Sequence, residues 1–298
     1  MNTGIKVLDL FSGIAVGRLA LEQLQIPVAE HHAYEISKAA IGVATYHFPD
    51  IIERGDVTKI NFDEFAGFDL LLCGSPCQDL SQFNHDGLGL EGDKSCLFYY
   101  GAEAVRRKLC KYFLFENVGG MRKKDKEIMS ELLGVEPIKV CSSLYTAQTR
   151  NRLYWTNLPV HLDPPENPPI AQDILEYGIA PRRTYTAVTC HNDSIGKLVR
   201  RINAGWSTHF KVTEHGPIEF FFSDDCNQRL INIERNQLYR IDRLTAVELE
   251  RLQGFPDNYT KYAIRNGQVA EVGYHTRREL IGNAWTLPVI VDLLKMLK

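Results

Sequence analysis

Short apolar runs alternate with amphipathic stretches through the first half of the chain. Residues 5–11 predict a buried strand stopped by Ser12-Gly13, and residues 15–24 carry helical spacing through Leu19, Ala20, Leu21 and Leu24. A second strand is expected over 31–34, closed by Glu35. A helix over 37–46 follows, with Ser37 as its N-cap. A third strand over 51–54 ends at Gly55-Asp56. Phe68–Cys73 and 112–115 predict two more, with a helix over 95–108 between them. Strands and helices that alternate in this way predict an α/β fold with a doubly wound, mostly parallel sheet.

The rhythm breaks after Asn157. Pro159, Pro164, Pro165, Pro168 and Pro169 crowd together, and only short β-like runs such as 218–222 follow. Helical spacing returns over 245–252, where Thr245 and Glu248 have the spacing of a capping box, and again over 287–297. The expected organisation is one large domain built from residues 1–158 and 241–298, with a small domain, 159–240, inserted between them.

Composition narrows the class. Hydrophobic residues make up 44% and charged residues 24%, an ordinary enzyme profile. No apolar run is read as a membrane span, and the start lacks a basic segment before its apolar run, so a cytoplasmic or nucleoid-associated protein is expected. The cysteines at 73, 77, 96, 110, 141, 190 and 226 are odd in number and irregular in spacing, which argues against a disulfide framework. Cys73 and Cys77 lack the second pair that a structural zinc site requires, so no metal is expected. A net charge of −3 carries no bulk signature of nucleic-acid binding. Any phosphate contacts must come from local basic groups such as Arg182-Arg183, Lys197 and Arg200-Arg201.

The candidate chemistry sits at strand ends, where an open parallel sheet binds its ligands. Asp9-Leu10-Phe11-Ser12-Gly13-Ile14-Ala15-Val16-Gly17 joins the first strand to the first helix, and its glycines suit close approach of a ligand. Glu35 at the second strand end is placed to accept two hydrogen bonds from ribose hydroxyls. Asp56 at the third can accept from an exocyclic amine. Either acid alone is better read as a surface carboxylate; the series of three strand ends suggests an adenosyl cofactor. Gly74-Ser75-Pro76-Cys77-Gln78 delivers a thiol just past the fourth strand, and Glu116-Asn117-Val118 an acid at the end of the fifth. Such a pair suits nucleophilic attack on an electron-poor ring that is protonated as it is attacked. Gln148-x-Arg150-x-Arg152 would place two guanidinium groups on one strand face to favour the thiolate. Burial would raise the pKa of Glu116 so that it can donate to the ring, and Asn117 would hold the local turn.

In this order the motifs resemble those of the DNA (cytosine-5)-methyltransferase family over nearly the whole chain. DLFSGIAVG is similar to its first cofactor motif, GSPCQDLS to its nucleophile motif, ENV to its acid motif and QTRNR to its paired-arginine motif. RLTAVELERLQGFP is similar to the segment that organises the recognition domain, and GNAWTLPV to the closing cofactor motif. Within the family, Trp285 and FENVGGM resemble the de novo animal branch or its bacterial and phage relatives. The resemblance implies a Rossmann-like methyltransferase sheet, S-adenosyl-L-methionine as cofactor and double-stranded DNA as partner, with the cytosine flipped out of the stack. It implies a role in host protection, as in restriction-modification, or in regulation. Cys77 would attack C6, Glu116 would face N3 and the amino group, and Arg152 with Arg150 would hold O2. The implied cofactor shell is Phe11, Ser12, Gly13, Ile14, Ala15, Val16, Glu35, Ile36, Asp56, Val57, Pro76, Leu97, Asn283 and Trp285, with Trp285 packed on the adenosyl group. Ser81, Gln82, Arg200, Arg201 and Arg243 would touch DNA, and the 159–240 insert would read its sequence. A tRNA cytosine-5 methyltransferase, or an inactive accessory protein of the same fold, is the alternative.

Overall fold

A computed structural model describes residues 4–80, 88–178, 180, 183–186, 210–213, 230–232 and 238–298. The strands are β1 (Ile5–Leu10), β2 (Val28–Tyr34), β3 (Ile52–Glu53), β4 (Phe68–Cys73), β5 (Cys110–Val118), β6 (Ile138–Cys141), β7 (Gln148–Thr149), β8 (Asn151–Thr156), β9 (Tyr185–Thr186), β10 (Phe210–Thr213), β11 (Leu230–Asn232), β12 (Leu238–Arg243), β13 (Tyr262–Arg265) and β14 (Gln268–Glu271). The helices are α1 (Val16–Gln23), α2 (Lys38–His47), α3 (Phe98–Arg106), α4 (Lys123–Leu133), α5 (Ala246–Leu252), α6 (Tyr274–Asn283) and α7 (Leu287–Leu294).

Seven strands form the central sheet in the order β3-β2-β1-β4-β5-β8-β6. The first five pair in parallel, and β8 runs antiparallel between β5 and β6. The chain winds outward from β1 to β3, then returns to continue on the other side from β4. The point of reversal is the β1/β4 seam, where Leu10 pairs with Cys73. The carboxyl ends of the strands flanking such a seam diverge and leave a crevice. This is the doubly wound architecture expected from the alternation of runs.

Period-two alternation assigns each strand residue to one of two apolar layers. Val7, Leu70, Leu72 and Leu114 pack with α1, α2 and α7 on one face. Leu8, Leu10, Leu71, Phe113 and Phe115 pack with α3 and α4 on the other. Helices on both faces explain why β1 and β4 are almost continuously apolar. A third cluster joins Ala171, Ile174 and Tyr185 to Leu244, Leu249, Leu252 and Ile281, so residues from the beginning of the 159–240 segment pack on α5 and α6. The backbone of β10, β12 and β11 forms a three-stranded antiparallel sheet.

Three local expectations need correction. The fifth strand extends to Val118, because β8 pairs with it through Val118–Arg152, so Glu116 and Asn117 lie within the ladder and not beyond it. The helix expected over 95–108 begins as a 3-10 turn, Ser95–Leu97, and becomes α-helical from Phe98. Arg150 falls between β7 and β8, so the two arginines do not share one strand face. The expectation of no membrane span holds: the stretch Tyr274–Leu297 has the length of one, with a mean hydropathy of 1.4 in its most apolar window, but not the structure. It folds as two helices broken after Asn283, with 61% of its most apolar window buried in the protein. The capping box of Thr245 and Glu248 forms as expected, with both reciprocal bonds present.

Candidate active site

Above the β1/β4 seam lies a cleft of about 400 Å³ whose walls come from both halves of the sheet. On one side are the loops after β1, β2 and β3. On the other are the loop after β4, the outer part of β5, and Arg150 and Arg152. The end of α6 and Trp285 close it.

The β1 loop folds tightly. Phe11, Gly13 and Ala15 all have left-handed backbone, with φ of 62°, 56° and 60°. Gly13 adopts this freely, whereas Phe11 and Ala15 do so against their side chains, a form of strain concentrated at ligand-binding turns. Glu35 holds the loop: its Oε2 accepts from Gly13 N at 3.0 Å, and its Oε1 accepts from Ile36 N at 2.9 Å and Ser37 N at 2.8 Å. A carboxylate offers about four acceptor positions, so backbone amides take most of its capacity and one position on Oε2 is left over. Glu35 therefore cannot take up two ribose hydroxyls on free lone pairs, as its strand-end position alone suggested. Asp56 caps the turn Val57–Lys59, accepting from Thr58 N at 2.9 Å, a bond that lowers its pKa.

The other expected cofactor residues divide by depth. Phe11, Ser12, Gly13, Ile14, Val16, Glu35, Ile36, Asp56, Val57, Pro76, Leu97, Asn283 and Trp285 all line the cleft. Ala15 does not: it is fully buried in the core behind the loop. Ile36 is 75% exposed at the rim, an apolar face without a cover. Ser12 Oγ is buried and has no hydrogen-bond partner among the described residues. Apolar walls, an orphaned hydroxyl and spare carboxylate acceptors fit a nucleoside carrying a cationic, polar tail. Sequence reasoning did not mark Thr276, Glu279 and Leu280, which complete the wall from α6. Their only signal was helical i, i+3, i+4 spacing. Asp9, a lone acid in an apolar strand, also lines the cleft. It is buried beside His31 at 3.4 Å, and desolvation raises its pKa.

Cys77 is half-buried at the start of a turn closed by Leu80 N donating to Cys77 O. Burial raises the thiol's pKa and the charge of Glu116 raises it further, while Arg152 and Arg150 pull it down. Desolvation outweighs the arginines, so they do not by themselves create the thiolate-favouring setting expected. Asn117 fastens the thiol loop to the neighbouring strand: its Nδ2 donates to Ser75 O at 3.3 Å and Ser75 Oγ at 3.2 Å, while its Oδ1 accepts from Val118 N.

Glu116 meets two donors. Arg152 Nε donates to Oε1 at 2.7 Å, and the Trp285 indole N–H donates to Oε2 at 3.0 Å. The carboxyl is thus held by one donor on each oxygen. Arg150 is 5% exposed, and its two terminal nitrogens donate to the carbonyls of Gly282 and Ala284, each at 3.1 Å. Burial and Arg152 push its pKa down to about 10. Both nitrogens are spent on the backbone that carries Trp285, so Arg150 anchors that wall. Its expected grip on the base with Arg152 is replaced by this anchoring. Arg243 ends β12, partly buried beside Tyr274. Ser81, Gln82, Arg200 and Arg201, and the run 218–222, lie outside the described residues.

The seam of the sheet thus brings a thiol and a guanidinium-held carboxylate into one cleft. A family model for C-5 cytosine-specific DNA methylases matches residues 5–158, just over half of the chain, and the chain belongs to that family. The type II methyltransferase M.NgoBV of Neisseria gonorrhoeae is 37% identical over 134 residues, covering 44% of this chain and 31% of that one. M1.ScrFI, a type II methyltransferase of Lactococcus lactis subsp. cremoris, is 28% identical over 279 residues, covering 85% and 70%. Across several curated relatives the match spans only about a third of their length. Among solved structures, the Dnmt2 methyltransferase of S. pombe superposes with a TM-score of 0.65 at 16% identity, covering 98% of each chain. At that identity the likeness speaks for the fold.

Proposed function

We propose that this chain is a DNA (cytosine-5)-methyltransferase, transferring a methyl group from S-adenosyl-L-methionine to C5 of a cytosine flipped out of double-stranded DNA. One observation carries the reading: Ser12 and Glu35 line the same cleft as Cys77, Glu116 and Arg152. A cofactor half and a nucleophile half are therefore within reach of one base.

In this reading Phe11, Ile36, Val57 and Leu97 bound the adenosyl group, Glu35 Oε2 takes one ribose hydroxyl, and Asp56 takes the exocyclic amine. Ser12 Oγ and the β1 loop amides face the polar tail. When bound, S-adenosylmethionine would supply an electrophilic methyl carbon. Cys77, once deprotonated, adds to C6 of the cytosine, and the displaced electron pair moves to C5. Glu116 faces N3 and the amino group, where it answers the charge that builds on the ring. Arg152, already bonded to Glu116, is the donor for O2. Once C5 has used that electron pair to take up the methyl carbon, loss of the C5 proton to water returns an electron pair to the ring and expels the thiolate. A base inside the duplex cannot reach the thiol, which is why flipping is part of the proposal.

Sequence reading is proposed for residues 159–240. The attachment of its described start to α5 and α6 supports this, because that contact ties an inserted segment to the cleft's own wall. Phosphate contacts would set register there, with a few side chains reading base edges.

The test is covalent capture. DNA carrying 5-fluorocytosine at a methylated site should form a stable adduct with the wild-type protein, since fluorine cannot leave C5 as a proton does. Cys77→Ser should form none and transfer no methyl group, while keeping cofactor affinity within about threefold, because the thiol is not a charged partner of the ligand. Methyl transfer by the serine variant would overturn the assignment.

A further inference from the structure

Trp285 was expected to pack on the adenosyl group, but its polar edge turns the other way. The indole N–H bonds Glu116 Oε2 at 3.0 Å, and the ring lies over Gly74, the residue leading into the Cys77 loop. A Cβ on Gly74 would stand 2.9 Å from Nε1 and 3.1 Å from Cζ2, so only glycine lets the ring sit there. The ring's own position is fixed from behind by the bonds of Arg150 to the carbonyls of Gly282 and Ala284. Thr286, the next residue, is held by Gln253 Oε1 and Ser142 Oγ. Few residues on a wall are so firmly placed.

We propose that Trp285 is a positioning residue for Glu116. Two rigid planar donors, the guanidinium of Arg152 on Oε1 and the indole of Trp285 on Oε2, set the plane of the carboxyl before the base arrives. Tryptophan suits the task because its N–H only donates and never titrates. The bond is therefore made with the ionised carboxyl and weakened when Oε2 takes a proton. Because Trp285 also lines the cofactor half of the cleft, its bond links that wall to the acid. The inference rests on the proposed role of Glu116, but the bond itself has a signature independent of activity.

The test uses the full chain labelled with 15N at its indoles. The Trp285 peak is assigned by its absence in Trp285→Phe. It should move when Glu116→Gln is introduced. Trp155, whose indole bonds Ser130 Oγ at 3.0 Å, serves as the internal control and should stay put. In steady state, Trp285→Phe should lower kcat about tenfold, as expected for loss of one hydrogen bond to a charged group, with cofactor KM changed far less. In a Glu116→Gln background the same substitution should have no further effect on kcat. If Trp285→Phe folds poorly, benzothienylalanine at this position keeps the ring shape and removes the N–H. A Trp285 peak indifferent to Glu116→Gln, or an equal kcat loss in both backgrounds, overturns the proposal. If the wild type methylates no DNA, the functional reading falls, and the indole peak still decides whether Trp285 holds Glu116.

Discussion

The two halves of the cleft are built by different means. In the half proposed for the cofactor, the key acids are fixed mainly by near neighbours: Glu35 by the amides of Ile36 and Ser37, with Gly13 as one donor from the loop after β1, and Asp56 by Thr58. In the nucleophile half, each group is fixed by a partner from a distant part of the chain: Glu116 by Arg152 and Trp285, Asn117 by Ser75, Arg150 by the carbonyls at the end of α6. Short-range backbone bonds form as soon as a turn forms. Long-range side-chain bonds exist only when the sheet and both chain ends are assembled. The cofactor half should therefore tolerate change in the nucleophile half better than the reverse.

The largest effect should come from removing the anchor on which the second half depends. Arg150→Ala removes the charged donor from the half-buried carbonyl of Gly282 and the buried carbonyl of Ala284 and should cost about 3 kcal/mol of unfolding free energy. A urea titration followed by Trp fluorescence measures this, and an unchanged midpoint would mean that the wall carrying Trp285 stands without Arg150. Next, Glu35→Ala should weaken S-adenosylmethionine binding about ten- to a hundredfold by calorimetry, because it frees the β1 loop and removes one charged acceptor. If affinity holds, the β1 loop keeps its shape without the carboxylate and the contrast between the halves loses its first example.

A smaller effect sharpens the electrostatics of the nucleophile half. Burial and Glu116 hold the Cys77 thiol's pKa above its ordinary value, so modification of Cys77 by iodoacetamide should climb with pH beyond the usual thiol range. Glu116→Gln removes a like charge and should speed modification at pH 8 by about threefold, while Arg152→Ala should slow it by a similar factor, as expected for partly screened charges. Mass spectrometry of the Cys77 peptide reads both. Equal rates in all three proteins would show that neither charge is felt at sulfur.

The smallest effect tests the cofactor half from beneath. The carboxyl of Glu53 is buried without a partner among the described residues, and desolvation together with Asp9 and Glu35 raises its pKa from 4.5 to about 7. A pKa raised by folding means the folded state holds the proton more tightly. The stability this contributes is complete below about pH 4.5 and is lost as pH rises through 7. Glu53→Gln should thus match the wild type near pH 4 and exceed it by about 1 kcal/mol at pH 8. A constant difference across that range would mean that Glu53 does not titrate there.

The same division explains what was legible in the chain beforehand. Phe68–Cys73 was read to the residue, Ser37 caps α2, and Thr245 with Glu248 forms its box, because run length and capping chemistry are local. The fifth strand was read short because Glu116 and Asn117 are polar, and only pairing with β8 keeps them in the ladder. The helix read over 287–297 is found as Leu287–Leu294, its apolar face packed in the core with α1.

By itself, then, the sequence determined the alternation that winds the sheet, the turns at its strand ends, and the residue types that gather there. Their spacing along the chain also set which of them stand at the seam. Only the tertiary structure decided their alliances: that Arg150 serves the backbone while Arg152 serves Glu116, and that the indole of Trp285 points to the acid. The physical reason is range. Backbone conformation and capping are settled among near neighbours, whereas the partner of a buried donor is settled by whichever acceptor the assembled fold brings within about 3 Å.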